Sequence, residues 1–185
     1  MQPQLRRLWT YRVLALLITA VAVHLLAVWA TPRLIMWVVM RNGIAETSNR
    51  PNLAGFLPAI TSASRDVVMP SPDMLYGFCV FDVSGGPVQV TADPRLKSYW
   101  SIALYGANSD NFFVINDRKA GDATVNLWLV SEGANRAAPP IPPGSQVVVT
   151  PSGKGLLLMR VLTADYDAEK SLLEPARRTL SCKKV

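Results

Sequence analysis

The sequence predicts a mainly β fold: one N-terminal transmembrane α-helix, then a small antiparallel β-sandwich or barrel with a short C-terminal helix. Two observations predict it, an uncharged apolar run at residues 13–31 and, further along the chain, a series of short β-type runs separated by turn residues. We expect a cytoplasmic N-terminus at residues 1–12, a transmembrane or interfacial helix at 13–40, a linker at 41–72 and the β-domain at 73–185. A chain of 185 residues has room for one such domain.

Residues 13–31 have the length and composition of a membrane span. The run contains no formally charged residue, no Pro and no Gly. As a helix it covers about 28 Å, close to the roughly 30 Å hydrocarbon core of a bilayer. The alternative is a cleaved secretory signal that ends near Ala30, but the apolar part of a signal usually has only about 7–15 residues. We therefore expect a retained anchor, with the lipid bilayer as its surroundings.

The net charge of +6 mainly reflects the orientation of this anchor. Of the 19 Lys and Arg residues, four lie in the first forty positions, where no acidic residue occurs, and the remaining 15 are nearly balanced by 13 acidic residues. Arg6, Arg7 and Arg12 precede the span, whereas Arg33 and Arg41 follow it at wider spacing. The positive-inside rule then favours a single-pass protein of a bacterial inner membrane, with a cytoplasmic N-terminus and a periplasmic C-terminal domain. No basic stripe with interleaved aromatic residues occurs, so no nucleic-acid partner is expected.

Two features of the span leave alternatives open. Pro32 interrupts the apolar run before residues 34–40 continue it, so the helix either tilts and kinks at Pro32 or lies along the interface beyond it. His24, the single histidine of the chain, lies near the middle of the span. It is either a proton relay or cofactor ligand, or a neutral imidazole that hydrogen-bonds a neighbouring helix. We favour the second interpretation, which makes His24 a contact with a membrane partner.

The rest of the chain has the pattern of a β-domain. Residues 41–72 are polar and are expected to form a linker with one helical turn or short helix. Pro- and Gly-rich joints such as residues 139–144 separate the runs that follow. Seven runs rich in apolar and aromatic residues predict an antiparallel sandwich or barrel, and they lie at residues 74–83, 87–91, 99–105, 112–115, 124–130, 146–150 and 156–162. Near the end, apolar and charged residues within 168–180 predict a short helix that is broken or begun at Pro175.

The residue types that the β-domain lacks limit the chemistry it can perform. Beyond His24 the chain has no histidine, which excludes a Ser-His-Asp or Cys-His catalytic device, and two cysteines without histidine exclude a conventional structural zinc site. No catalytic residue, metal ligand or cofactor is therefore predicted. Cys79 and Cys182 are a candidate disulfide, because the expected compartment is oxidising and the pair leaves no thiol over. The alternative is two unpaired thiols, with Cys79 filling core space.

Two further groups of residues have a structural and a functional interpretation. Oxygen-bearing side chains at strand ends suit Ca²⁺, but Asp and Asn are also the standard turn residues, and we favour turns for Asp73, Asp82, Asp110, Asp117, Asn108, Asn111 and Asn116. Six aromatic residues either line an apolar or sugar-binding cleft or fill the core, and we favour the core for Tyr76, Tyr99, Trp100, Tyr105, Phe112 and Phe113.

Two stretches resemble the bacterial family called domain of unknown function 1254. Residues 71–90 read SPDMLYGFCVFDVSGGPVQV, and residues 99–118 read YWSIALYGANSDNFFVINDR. The family pattern has an Asp followed by a Tyr, a Ser-Gly-Gly-Pro turn, a Tyr-Trp-Ser strand and an Asp-Asn-Phe segment. The positions that match this signature are Asp73, Tyr76, Tyr99, Trp100 and Asn111. The resemblance implies a jelly-roll-like β-sandwich and carries over no catalytic residue.

The resemblance also implies a partner. Larger members of the family join this domain to a second one, the domain of unknown function 1214, and short anchored members look paired with a separate anchored protein that carries the second domain. This chain is similar to the short anchored form. We therefore expect a membrane-anchored periplasmic accessory subunit, without chemistry of its own, that assembles with another inner-membrane protein carrying the complementary domain. The alternative is an envelope module that binds or acts on a small ligand such as a sugar or a lipid headgroup.

Overall fold

The fold was analysed in a computed structural model of the chain, which describes residues 3–61, 63–64, 70–132 and 141–185. The chain divides into two compact units, Met1–Ile35 and Met36–Val185. Helix α1 (Pro3–Glu46) is the long N-terminal helix. It is the one helix among the described residues that is long and apolar enough to cross a membrane, and the side chains of its most apolar stretch are not covered by the rest of the protein.

Pro32 lies inside α1, which continues for more than three turns beyond it. Proline has no N–H to donate, so the carbonyl of Val28 lacks its usual helical bond. The carbonyls on either side of Val28 gain side-chain donors: Thr31 Oγ1 lies 2.7 Å from the Ala27 oxygen and Arg33 Nη1 lies 2.6 Å from the Trp29 oxygen. The helix therefore does not end at Pro32.

The last turns of α1 belong to the second unit and pack on its β-structure. Met36 is buried, and Gly43 lies so close to the strand at Met74–Asp82 that a Cβ atom there would meet Val80 Cγ2 at 2.9 Å and Phe78 Cε2 at 3.2 Å. The predicted linker, residues 41–72, therefore begins as helix rather than as loop. Residues 62 and 65–69 of that linker lie outside the described part of the chain.

Two sheets make up the second unit. The five-stranded sheet has the order β1 (Ala54–Phe56), β2 (Met74–Asp82), β8 (Lys154–Leu162), β4 (Trp100–Gly106) and β5 (Asn111–Asn116). The four-stranded sheet has the order β7 (Gln146–Thr150), β6 (Val125–Ser131), β3 (Val88–Ala92) and β9 (Ser181–Lys184). A single helical turn, α2 (Asp117–Ala120), follows β5, and helix α3 (Tyr166–Arg177) lies between β8 and β9. The predicted mainly β fold is confirmed, as two open sheets rather than a closed barrel.

The core lies between the facing sides of the two sheets. Strand β8 shows the alternation of a half-buried strand, because every second residue from Gly155 to Val161 is buried. Strands β2 and β4 are buried over most of their length. The largest fully buried core side chains are Phe81, Leu75, Ile102, Leu104, Leu127, Leu129, Leu157 and Met159. These residues lie in the predicted apolar runs, so the sequence pattern identified the core.

The observed strands differ from the predicted ones in two respects. Strand β1 lies inside the predicted linker, and β9 was not predicted, because the sequences Ala-Gly-Phe and Ser-Cys-Lys-Lys lack an apolar alternation. The pair β6–β7 is parallel rather than antiparallel. Residues 132–145 join these two strands, and a connection of a dozen or more residues is what parallel neighbours need. The predicted joint at 139–144 belongs to this connection, and its residues 139 and 140 lie outside the described residues.

Helix α3 begins earlier than predicted and contains Pro175. Its N-cap is Asp165, whose side chain accepts a hydrogen bond from the Ala168 nitrogen at 3.2 Å. Pro175 lies in the last turn, where one missing backbone bond costs little because Leu173 and Arg177 on either side are buried against the sheet. The prediction that Pro175 breaks or begins the helix is therefore wrong.

Candidate functional site

The predicted disulfide is present between Cys79 on β2 and Cys182 on β9. Their Cα atoms are 6.4 Å apart, and both residues are buried. Since β2 belongs to the five-stranded sheet and β9 to the four-stranded sheet, the bond joins the two layers through the core. It also ties the C-terminal strand, which has only four residues, to a central strand.

Two of the carboxylates that could have held a metal ion, Asp82 at the end of β2 and Asp110 between β4 and β5, have partners within the chain. A third, Asp117 at the start of α2, has a buried Oδ1 without a hydrogen-bond partner among the described residues. Asp82 accepts hydrogen bonds from the Ser84 hydroxyl and from the Ser84 nitrogen at 3.0 Å, and it pairs with Lys154 at 3.2 Å. Burial acts to raise the pKa of Asp82, but the bonds from Ser84 and the Lys154 ammonium outweigh it and lower that pKa. Asp110 accepts a bond from the Asn108 amide. Among the described residues, no group of three His, Cys, Asp or Glu side chains could hold a metal ion.

The predicted aromatic residues do not converge on one cleft. Trp100 is buried in the core, and Tyr99 is exposed. The Tyr76 hydroxyl accepts a hydrogen bond from the Ser71 nitrogen at 3.1 Å, while the Tyr105 hydroxyl accepts one from Arg160 Nη2 at 2.8 Å. Phe112 and Phe113 lie on β5, beside a groove between strands β5 and β7.

A buried arginine is the main polar feature that sequence reasoning missed. Arg177 is 2 % exposed, and its Nη1 donates to the carbonyls of Leu57 at 2.7 Å and Tyr76 at 3.0 Å. Its Nη2 bonds both oxygens of Glu174, at 2.6 and 2.7 Å. The guanidinium carbon lies 5.6 Å from the centre of the Phe56 ring. Helix α3 is thereby fixed to strands β1 and β2, and no local pattern signalled it because the accepting carbonyls are 120 and 101 positions away.

Glu174 is the counter-charge of this arginine. Burial acts to raise the pKa of Glu174, but the hydrogen bonds and positive charge of Arg177, together with the Tyr166 hydroxyl and Arg178, outweigh it and lower that pKa. Arg178 Nε lies 3.2 Å from Glu174 Oε2, and the Tyr166 hydroxyl donates to Oε1 at 3.2 Å. The arrangement is a structural network in which one buried donor, the Nε of Arg177, has no hydrogen-bond partner among the described residues.

His24 lies on an exposed face of α1 that is shaped by small residues. The imidazole borders a shallow concavity whose other lining residues are Leu16, Thr19, Ala20, Val23 and Ala27. The short side chains of Ala20 and Ala27 leave the space that a bulkier residue would fill. No group of the described chain hydrogen-bonds the imidazole. Such a face admits a second helix at close approach.

Comparison with protein families covers most of the chain. The family described as "Protein of unknown function (DUF1254)" matches residues 51–183. The chain belongs to this family. The match begins just before β1 and includes β9, so the family unit is the two-layered β-structure together with α3.

The fold seen here is similar to that of a solved structure. The crystal structure of the VPA0106 protein from Vibrio parahaemolyticus aligns with a TM-score of 0.64 at 15% identity, covering 85% of this chain and 36% of that one. An uncharacterized protein from Burkholderia cenocepacia aligns with a TM-score of 0.47 at 16% identity, covering 85% of this chain and 40% of that one. This chain thus spans 36% of the length of the first protein and 40% of the length of the second. No curated protein matches it.

The signature positions that carried the DUF1254 resemblance have structural surroundings. Asn111 Nδ2 donates to the Leu104 carbonyl at 3.2 Å, beside the point where the register of β4 and β5 shifts. Asp73 is exposed, and its backbone oxygen accepts a bond from the Thr163 nitrogen at 2.9 Å. Together with buried Trp100 and half-buried Tyr76, these positions define turns, a bulge and core rather than one chemical site.

Removal of the disulfide is expected to destabilise the sandwich. In the Cys79→Ala, Cys182→Ala double variant, the free energy of unfolding should fall by about 4–5 kcal/mol, because the unfolded chain loses a cross-link that closes a loop of about a hundred residues. Urea unfolding of the full chain in mild detergent measures this difference. Reductant should lower the urea concentration at which half of the native protein is unfolded, and it should leave the corresponding midpoint of the double variant unchanged. A native midpoint that does not respond to reductant contradicts the prediction.

The ion pair of Glu174 and Arg177 is expected to make stability depend on pH. Since the pKa of Glu174 is lower in the folded protein than its usual 4.5, its stabilisation is fully present above that value and is lost as the pH falls through the folded-state pKa. We expect Glu174→Gln to be less stable than the native protein at pH 7, with the difference shrinking steadily below pH 4.5. Thermal unfolding of both proteins between pH 7 and pH 3 measures it. A difference that stays constant over that range would show that the charge of Glu174 contributes nothing.

Proposed function

We propose that this protein is a membrane-anchored accessory subunit. Helix α1 crosses the inner membrane of a bacterium once, the β-structure lies in the periplasm, and the helix binds another membrane protein. The observation that carries the proposal is His24, a polar side chain without a partner in the described chain that lies in the most apolar part of a helix able to span a bilayer.

The distribution of tryptophans and arginines supports the position of the span. Trp9 and Trp29 are both exposed, and the helix between them covers about 30 Å, the thickness of the hydrocarbon core. Tryptophan is enriched at the two interfaces of a membrane. Arg33 stacks on the Trp29 ring, with its guanidinium carbon 4.4 Å from the ring centre. This pair marks the outer boundary of the hydrocarbon.

Charge and redox chemistry support the orientation. Arg6, Arg7 and Arg12 precede or begin the span, which favours a cytoplasmic N-terminus. The disulfide between Cys79 and Cys182 fits the oxidising periplasm, because cytosolic thiols are kept reduced. Both observations support the same side of the membrane for the β-structure.

His24 supports a partner within the bilayer. A polar group in hydrocarbon is unfavourable unless it is hydrogen-bonded. The lining of the concavity by Ala20, Val23 and Ala27 allows another helix to approach closely enough to supply that bond. A second span carrying a hydrogen-bonding side chain is therefore the occupant that fits this face.

The dispersed polar residues favour this role over a small-ligand module. Asp82 is engaged by Ser84 and by Lys154 of β8, Asp110 is engaged by Asn108, and Trp100 is buried in the core. The partner we propose is an anchored protein carrying the complementary domain of unknown function 1214. In VPA0106, the matched region accounts for 36% of the chain, which leaves ample length for further domains in a relative of the same fold.

The helix contact is tested by filling the concavity beside His24. Ala27→Leu should reduce recovery of the complex from membranes about 3- to 30-fold, since helix contacts in membranes contribute about 0.6–2 kcal/mol. His24→Leu should act in the same direction by removing the hydrogen bond. The measurement is native mass spectrometry of the full chain purified in mild detergent.

A matched control is Ala22→Leu, which makes the same substitution on α1 outside the residues that line the concavity. It should leave recovery of the complex unchanged. A native protein that purifies as a monodisperse monomer, with no other membrane protein attached, contradicts the proposed function. Equal losses from Ala22→Leu and Ala27→Leu would show that the face at His24 is not the contact.

A further inference from the structure

We infer that the outer edge of strand β7 accepts an extended strand from the membrane-anchored partner, so that the four-stranded sheet gains a fifth strand. The inference rests on the proposed function, because it places the periplasmic part of the same assembly. It concerns the β-structure alone and is independent of which helix contacts His24.

A comparison of the four edge strands singles out β7. Natural edge strands avoid pairing with other chains by being short, by carrying charges, or by a bulge. Strand β1 has only three residues, and β9 carries Lys183 and Lys184. The pairing of β5 shifts register opposite Leu104 and Tyr105. Strand β7, Gln-Val-Val-Val-Thr, has no charge and no proline, and its register with β6 is regular.

A groove runs along the edge of this strand. All five residues of β7 line it, together with Pro151, and Phe112 and Phe113 of β5 form the opposite wall. Because successive residues of a strand point to opposite faces of the sheet, a groove that touches consecutive residues must follow the strand's edge. Its volume is about 440 Å³. In the part of the chain that the structure describes, no strand pairs with this edge.

The hydrogen-bonding groups of the groove determine the kind of occupant. An open strand edge presents alternating backbone N–H and C=O groups, and the complement of such a row is another extended chain. Side chains beside the edge are apolar: Val147 is 47% exposed and Val149 is 56% exposed. Phe112 is held in place by an edge-to-face contact with core residue Phe81, at 6.4 Å between ring centres. The occupant is therefore a strand with apolar residues at alternate positions.

Charge favours a partner over a second copy of this chain. Glu132 is the single charged residue among the described residues that line the groove. A partner strand with a lysine or arginine at that end supplies the counter-charge. A second copy pairing through its own β7 offers only uncharged residues and leaves Glu132 unpaired.

Photo-crosslinking tests the geometry directly. Benzoyl-phenylalanine is placed at Val147 or at Val149 of the full-length protein in native membranes, with Leu172 on α3 as the control, because Leu172 is also an exposed apolar residue, at 62%. Both groove positions should attach to one segment of one other membrane protein, at sites two residues apart, as strand pairing requires. The yield at Leu172 should be at least about tenfold lower.

Several outcomes overturn the inference. One is that the crosslinker at Val147 or Val149 attaches to a second copy, to this chain's own residues or only to lipid. The others are that the yield at Leu172 equals the yield at the groove positions, or that no crosslink forms at all. A complex that is recovered through the helix without crosslinks at Val147 and Val149 refutes this inference and leaves the proposed function standing. Absence of any complex refutes the proposed function itself.

A charge placed on the edge gives an independent measurement. Val149→Lys adds the kind of charge that protects β9 and should lower recovery of the partner about tenfold. Leu172→Lys, the same change at another exposed site, should leave recovery unchanged. Both variants should keep the native melting temperature, which separates loss of binding from loss of fold. Equal recovery from the two variants overturns the inference.

Discussion

The apolar surface of helix α1 is the constraint that determines where the rest of the chain can lie. The most apolar stretch of this helix is not covered by any other part of the protein. In a bilayer each Leu, Ile or Val at the centre of a span contributes about 0.3–0.6 kcal/mol in favour of insertion. His24, in the same stretch, acts in the opposite direction until it finds a hydrogen-bonding partner. In the proposed function, this one helix both anchors the protein and calls for a second protein to satisfy His24.

Strand β2 has a comparable role within the β-structure, because α1, α3 and β9 are each fixed to it. The last turns of α1 pack on its residues Phe78 and Val80 through Gly43. Arg177 fixes α3 to the Tyr76 carbonyl, and Cys79 fixes β9 through the disulfide. The two layers and both ends of this unit thus depend on a single strand of nine residues. Strands β5 and β7 end their sheets on the other side of the sandwich, away from these three connections, and this is the side proposed to bind a partner.

The sequence predicted the features that depend on local pattern. The apolar run identified the helix, the alternating runs identified seven strands and the core position of Trp100, and an even cysteine pair identified the disulfide. Features that depend on distant contacts were missed. Strand β1 and strand β9 have no apolar alternation and are held by β2 and β3. Arg177 reads as an ordinary helical surface residue, and only the fold brings the Leu57 carbonyl to it. The same holds for the two proposed contact surfaces. The sequence alone identified His24, whereas the unprotected edge of β7 was identified only from the order of the strands in the sheet.

Protease applied to intact spheroplasts tests the central claim most directly, namely that lipid holds α1 and leaves the β-structure outside the cytoplasm. The C-terminal portion, from about residue 50 onward, should be digested without lysis, while an epitope at the extreme N-terminus is cut only after the membrane is opened. A C-terminal portion that survives until lysis would contradict this topology. A mature protein that begins after Ala30 would contradict the anchor itself.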